Sequence, residues 1–126
     1  MRLMSGIHGT IRIKRIYDPP ADDDGFRVLV DRLWPRGMPK EGAAVDLWLK
    51  DVAPSTELRK EFNHRPERFA DFSDRYRAEL GTNPAVETLL ELSAGHPRVT
   101  LLYAARDTDA NNARVLLDYL VGLAAD

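Results

Sequence analysis

Three adjacent apolar residues, Val28-Leu29-Val30, stop abruptly at Asp31 and lead into Arg32-Leu33-Trp34-Pro35-Arg36-Gly37. A strand with one wet face alternates apolar and polar side chains, so an unbroken apolar run implies burial on both faces. Residues 26–31 therefore read as a central strand of an α/β sheet, and the rest of the chain must supply its neighbours and its cover. Residues 11–17 supply one strand, with Ile11 and Ile13 inward and Arg12 and Lys14 outward. Residues 98–104 supply another, and residues 45–52 lean to a short strand over a single helical turn.

From Pro54 onward the apolar spacing becomes helical. Ser55 or Thr56 can cap a helix carrying Leu58 and Phe62. Phe69, Phe72, Tyr76 and Leu80 mark a second helix, opened by Pro66 and closed by Gly81. Val86, Leu89 and Leu90 mark a third, stopped by Gly95 and Pro97. Ala113, Leu116, Leu117, Leu120 and Leu123 mark a closing one. Helix, strand and helix in succession need a crossover, hence largely parallel pairing. The expected fold is a single three-layer-like α/β domain over residues 11–126, its small, mainly parallel sheet flanked by helices. Residues 1–10 read as a flexible leader.

Length and composition narrow the chemistry. A chain of 126 residues with 44% hydrophobic side chains suffices for one core without metal or disulfide. It has no cysteine, which removes disulfides, thiolate zinc sites and a cysteine nucleophile, and fits a cytoplasmic location. A net charge of −2 disfavours extended nucleic-acid binding, although a local cationic pocket remains compatible. No apolar run is long enough to span a bilayer, so no membrane partner is expected. Residues Asp22, Asp23 and Asp24 lack the spacing of a calcium loop and read as a solvated turn. No dinucleotide fingerprint, Walker loop, zincin pair or nucleophile elbow is present, and neither cofactor nor metal is expected.

In an open parallel sheet, ligands bind beyond the carboxyl ends of the strands. Two strands run into polar clusters there. After Val30 come Asp31, Arg32, Trp34 and Arg36, with Lys40 further on. After Ala104 come Arg106, Asp107, Asp109, Asn111 and Asn112. If these strands are parallel neighbours, both clusters meet on one edge. Arg32 and Arg36 could clamp a phosphate or carboxylate by paired hydrogen bonds, and Trp34 could stack on a ring. Arg106, Asn111 and Asn112 complete the ligand-binding set at the start of the closing helix. Asp31 and Asp107 are the candidate acid–base residues. Each has a plainer role as well. Trp34 could plug the edge of the core while Asp31 pairs with Arg32 or Arg36, and Asp107 or Asp109 could cap the final helix. His64 could serve as a general base, though a cap or an exposed residue is the plainer reading.

The segments Val28 to Gly37, Asp46 to Ser55 and Thr100 to Asp107 resemble the YeaO-like proteins, the domain-of-unknown-function family numbered 488. The resemblance runs from about Ile11 to Leu120. It implies a small bacterial-type cytoplasmic α/β domain and supplies no catalytic residue to carry over. Thiol or metal chemistry that larger relatives hold at the positions of Tyr103, Asn111 and Asn112 is expected to be absent. Two functions stay open. One is binding of a small anionic, phosphate-bearing or nucleotide-like ligand, with or without catalysis. The other is a non-catalytic module for a protein or nucleic-acid partner, a homodimer included, in which the Trp/Arg loop is structural.

Overall fold

A computed structural model describes residues 10–124. The leader expected over residues 1–10 lies outside the described residues except for Thr10, which opens the first strand. The strands are β1 (Thr10–Arg15), β2 (Phe26–Leu29), β3 (Leu47–Trp48) and β4 (Arg98–Tyr103). They form one sheet in the order β1-β4-β2-β3, and every pairing is parallel. The apolar run of β2 thus lies inside the sheet. Val28, Leu29 and Val30 are fully shielded, as are Leu101 and Leu102 of β4 beside them. Each such side chain contributes about 1.5–3 kcal/mol by leaving water.

Side chains alternate across the sheet, so its two faces carry different sets. Val28, Val30, Val99, Leu101 and Tyr103 share the larger core with Phe72, Tyr76, Leu89, Leu116 and Leu120. These come from the helices α3 (Phe69–Leu80), α4 (Ala85–Gly95) and α5 (Asn112–Ala124), with α2 (Thr56–Phe62) adding Leu58 and Phe62. The opposite face buries a smaller cluster of Ile16, Leu29, Ala43 and Leu102, closed by Trp34, Met38, Val45 and Trp48.

Two local expectations need correction. With Pro35, Gly37, Pro39 and Gly42, the stretch 32–46 reads in the sequence as holding no regular element, yet it contains α1 (Lys40–Ala43), a single helical turn. Extended Pro39 leads into it, Ala43 anchors it in the smaller core, and Ala44 at φ 52° ends it. Residues 45–52 divide into the two-residue β3 and a 3-10 turn, Lys50–Val52.

The second correction concerns Asp24. Residues 22–24 form a 3-10 turn in the crossover between β1 and β2, and the side chain of Asp24 is completely buried rather than solvated. Lys14 Nζ donates to both carboxylate oxygens at 3.1 and 3.0 Å, and Arg12 donates to one at 2.8 Å. Arg27 and the backbone N–H of Ala21 donate to the other. Burial alone would raise this carboxyl. The Ala21 amide, the Lys14 and Arg27 hydrogen bonds and the Lys14 charge outweigh burial and hold it at about 2. Gly25 follows at φ 67°, where a Cβ would sit 2.3 Å from the carbonyl oxygen of Arg98. Only glycine lets the crossover pass this close to β4.

Candidate functional site

The parallel pairing of β2 with β4 brings both polar turns to the same edge of the sheet. Asp31 joins them. Its Oδ2 accepts from the Ala104 backbone N–H at 2.9 Å, and its Oδ1 accepts from Asn112 Nδ2 at 3.0 Å. The same Asn112 amide reaches the Val30 carbonyl at 3.3 Å. One carboxylate therefore ties the end of β2 to the end of β4 and to the first turn of α5. Burial raises the Asp31 carboxyl above its ordinary range. The Asn112 and Ala104 hydrogen bonds and the charges of His64 and Arg59 pull the other way without cancelling it.

Arg32 does not pair with Asp31. Its guanidinium donates to the Pro54 and Ala53 carbonyls, both at 3.2 Å, which holds the approach to α2. Carbonyl partners leave its positive charge in place.

The cap of α5 is Asn111 rather than Asp107 or Asp109. Asn111 Oδ1 accepts from the Arg114 N–H at 2.8 Å, and its Nδ2 donates to the Asp107 carbonyl at 2.9 Å. The helix begins at Asn112, so only the residue before it stands three positions from the amide that needs an acceptor. Asp107 Oδ1 accepts from the amides of Asp109 and Ala110, both at 2.9 Å. Those two hydrogen bonds hold its carboxyl below the ordinary range.

Trp34 departs to the other face of the sheet. Its indole N–H donates to the Met38 carbonyl at 2.8 Å, and its ring meets Trp48 edge-on at 5.4 Å. Trp48 in turn donates to the Asp31 carbonyl at 2.8 Å. Arg36 is exposed, and its carbonyl accepts from the Tyr17 hydroxyl at 2.7 Å. Arg106 is exposed in the β4–α5 turn, with no ion pair among the described residues. Of the eight residues singled out in the sequence, the structure joins Asp31 and Asn112 directly and sets Arg32 beside them. Asp107, Asn111 and Arg106 fall in the adjacent turn, while Trp34 and Arg36 belong elsewhere.

Sequence reasoning missed the contribution of α2. Among the described residues, Arg59 Nε is the buried side-chain polar atom with no hydrogen-bond partner. Its charge and that of His64 act on Asp31. His64 itself is exposed at φ 55°, just beyond the helix. Tyr76 lies close by, fully buried, donating to the Val52 carbonyl at 2.6 Å. Burial, together with the negative charges of Asp31 and Glu79, pushes its phenol far up, so it stays protonated. Glu79 grips Ser55 through both its amide, at 2.9 Å, and its hydroxyl, at 2.6 Å. That fixes Ser55 as the cap of α2, with its Oγ accepting from the Leu58 N–H at 3.2 Å. One signal for Arg59 was present: it flanks the Leu58–Phe62 stripe instead of standing opposite it.

Two hollows lie away from Asp31. One of about 320 Å³ sits over Leu58, Phe62 and Phe72, between α2 and α3. The other, about 570 Å³, is lined by Phe26, His96 and Arg98 at the amino ends of β2 and β4. Among the described residues no cluster of three or more His, Asp or Glu could hold a metal, and no helix is long and apolar enough to cross a membrane.

A family model described as the inactive DUF488-N3 subclade matches residues 10–125. The chain is 46% identical over 113 residues to the uncharacterized protein YeaO of Escherichia coli (strain K12), spanning 90% of this chain and 98% of that protein. It is 45% identical over 112 residues to the uncharacterized protein Rv3073c of Mycobacterium tuberculosis (strain H37Rv), spanning 89% and 94% respectively. No solved structure matches.

Proposed function

Because the chain belongs to the DUF488 family, in the subclade described as inactive, we propose that it binds a small oxyanion at the carboxyl edge of its sheet without transforming it. The observation that carries this reading is Arg59 Nε, hidden from water and without an acceptor. A buried donor left unpaired costs about 1–3 kcal/mol, and an arriving phosphate or carboxylate oxygen would recover that. Arg32 keeps its charge because carbonyls hold it, and Arg106 stands at the same edge with no ion pair among the described residues. Asn112 supplies the floor. Phosphate-bearing and carboxylate ligands share this chemistry, and a nucleotide ring would have to rest on something other than Trp34.

Binding without catalysis follows from how the two candidate acid–base residues are used. Asp31 gives both oxygens to N–H donors that join three elements, and Asp107 gives one of its two oxygens, Oδ1, to two turn amides. Those hydrogen bonds commit the Asp31 carboxylate and Asp107 Oδ1 to the protein's own backbone and side-chain amides. Both act as positioning residues in this reading, together with Asn111.

Thermal unfolding with inorganic phosphate, sugar phosphates, nucleotides and organic acids tests the proposal. A ligand at a hundred times its Kd stabilises the fold by about 2.7 kcal/mol. The expected result is a stabilised wild type and an Arg59→Gln variant that folds but no longer responds. If no anion stabilises the wild type, or R59Q responds equally, the reading fails.

A further inference from the structure

The motif Leu33-Trp34-Pro35-Arg36 is not used by the anion site, and its surroundings form a second surface. Trp34 and Trp48 are both half-buried. Their indole N–H groups are committed to the Met38 and Asp31 carbonyls, so the rings are held in place. Lys40 Nζ lies 5.6 Å from the centre of the Trp34 ring, and Lys50 Nζ lies 4.8 Å from that of Trp48. Neither lysine has a carboxylate partner among the described residues, and neither does exposed Arg36. Tyr17 joins the same surface through its hydrogen bond to Arg36 and is 40% exposed. Leu33, adjoining in the chain, is 59% exposed, the most of any large hydrophobic side chain described. Fixed aromatic rings beside exposed apolar side chains and unpaired cations are the ingredients of a protein-recognition surface.

We propose that the surface around Trp34, Trp48, Arg36, Lys40 and Lys50 docks an acidic peptide segment of a partner protein. Charge complementarity selects that occupant. A lysine resting on an indole can turn its ammonium to a carboxylate while its methylene stem stays on the ring. The ring edges and Tyr17 then receive an apolar side chain of the peptide. A second copy of this chain would oppose cations to cations across a two-fold axis, which is costly. Single-stranded nucleic acid needs open ring faces for stacking, and the lysines occupy them here.

The chain has two tryptophans, and both lie in this surface, so selectively excited tryptophan emission reports on it directly. Titration with a glutamate–tyrosine random copolymer is expected to change that emission saturably. The Lys40→Glu, Lys50→Glu double variant, whose circular dichroism should match the wild type, is expected to bind at least about tenfold more weakly through like-charge repulsion. Its thermal response to phosphate should be unaltered, which separates this surface from the Arg59 site. An unchanged emission would overturn the proposal. So would equal affinity in the double variant, or equal or tighter binding of polyglutamate or of oligothymidylate.

Discussion

Replacing Asp24 with asparagine would leave Lys14 and the buried Arg27 facing a neutral amide in a place that water barely reaches. Removing one partner of a buried ion pair typically costs about 3–5 kcal/mol, and that is the expected loss for Asp24→Asn in urea unfolding. The pH dependence has a definite sign. The folded carboxyl sits at about 2 against an ordinary 3.8, so its stabilisation is complete above 3.8 and disappears as the pH falls from 3.8 towards 2. Wild type should weaken across that window, and Asp24→Asn should lack this component. Asp31 has the opposite sign. Its carboxyl is raised, so the cost of its charge is present above its folded value and is relieved as the pH falls. Asp31→Asn should therefore compare better with wild type at neutral pH than in acid. Asp24 was not legible in the sequence. Three consecutive aspartates beside a glycine look solvated, and nothing local shows that Arg12, Lys14 and Arg27 converge on the third. Arg59 was hidden for a similar reason, since an arginine on a short helix reads as surface until the sheet edge is set against it.

At the scale of elements, what shows in the sequence follows the range of the forces involved. The unbroken run in β2 and the helical spacing of Phe69, Phe72, Tyr76 and Leu80 depend on burial, which imprints a period on the sequence, and those elements formed where expected. Ser55 capped α2 as expected, because its hydroxyl and the Leu58 amide are chain neighbours. The α5 cap was legible in kind but not in position. Asp107, Asp109 and Asn111 all have suitable side chains, and only the backbone path decides which one reaches the Arg114 amide. The prediction that separates them is direct. Asn111→Ala should cost about 2 kcal/mol, the upper end for a cap, because its amide also holds the turn. Asp109→Ala should change stability little. Denaturant midpoints measure both. The division of loop 31–37 between two faces was likewise unreadable. Alternation suggests that neighbours point apart, but the partners, Ala53 and Pro54 for Arg32 and Met38 for Trp34, are set by tertiary contact.

For the molecule as a whole, the governing feature is that the last strand in the chain lies between the first two. Thr10 to Arg15 pairs with Arg98 to Tyr103, and Phe26 to Leu29 pairs with the other side of that same strand. A chain ending at Pro97 retains three strands and four helices of sequence but loses the strand that joins β1 to β2. It should give the poorly dispersed amide spectrum of an unfolded or loosely collapsed chain, and a folded spectrum would contradict the parallel order. The same arrangement has a consequence for how the protein is made. On the ribosome, β1 and β2 emerge early and must wait for β4, more than half the chain later, before either gains it as the shared neighbour. Until then the apolar run of β2 is open on its β4 side, and its safety depends on how quickly synthesis finishes or on what holds the nascent chain meanwhile.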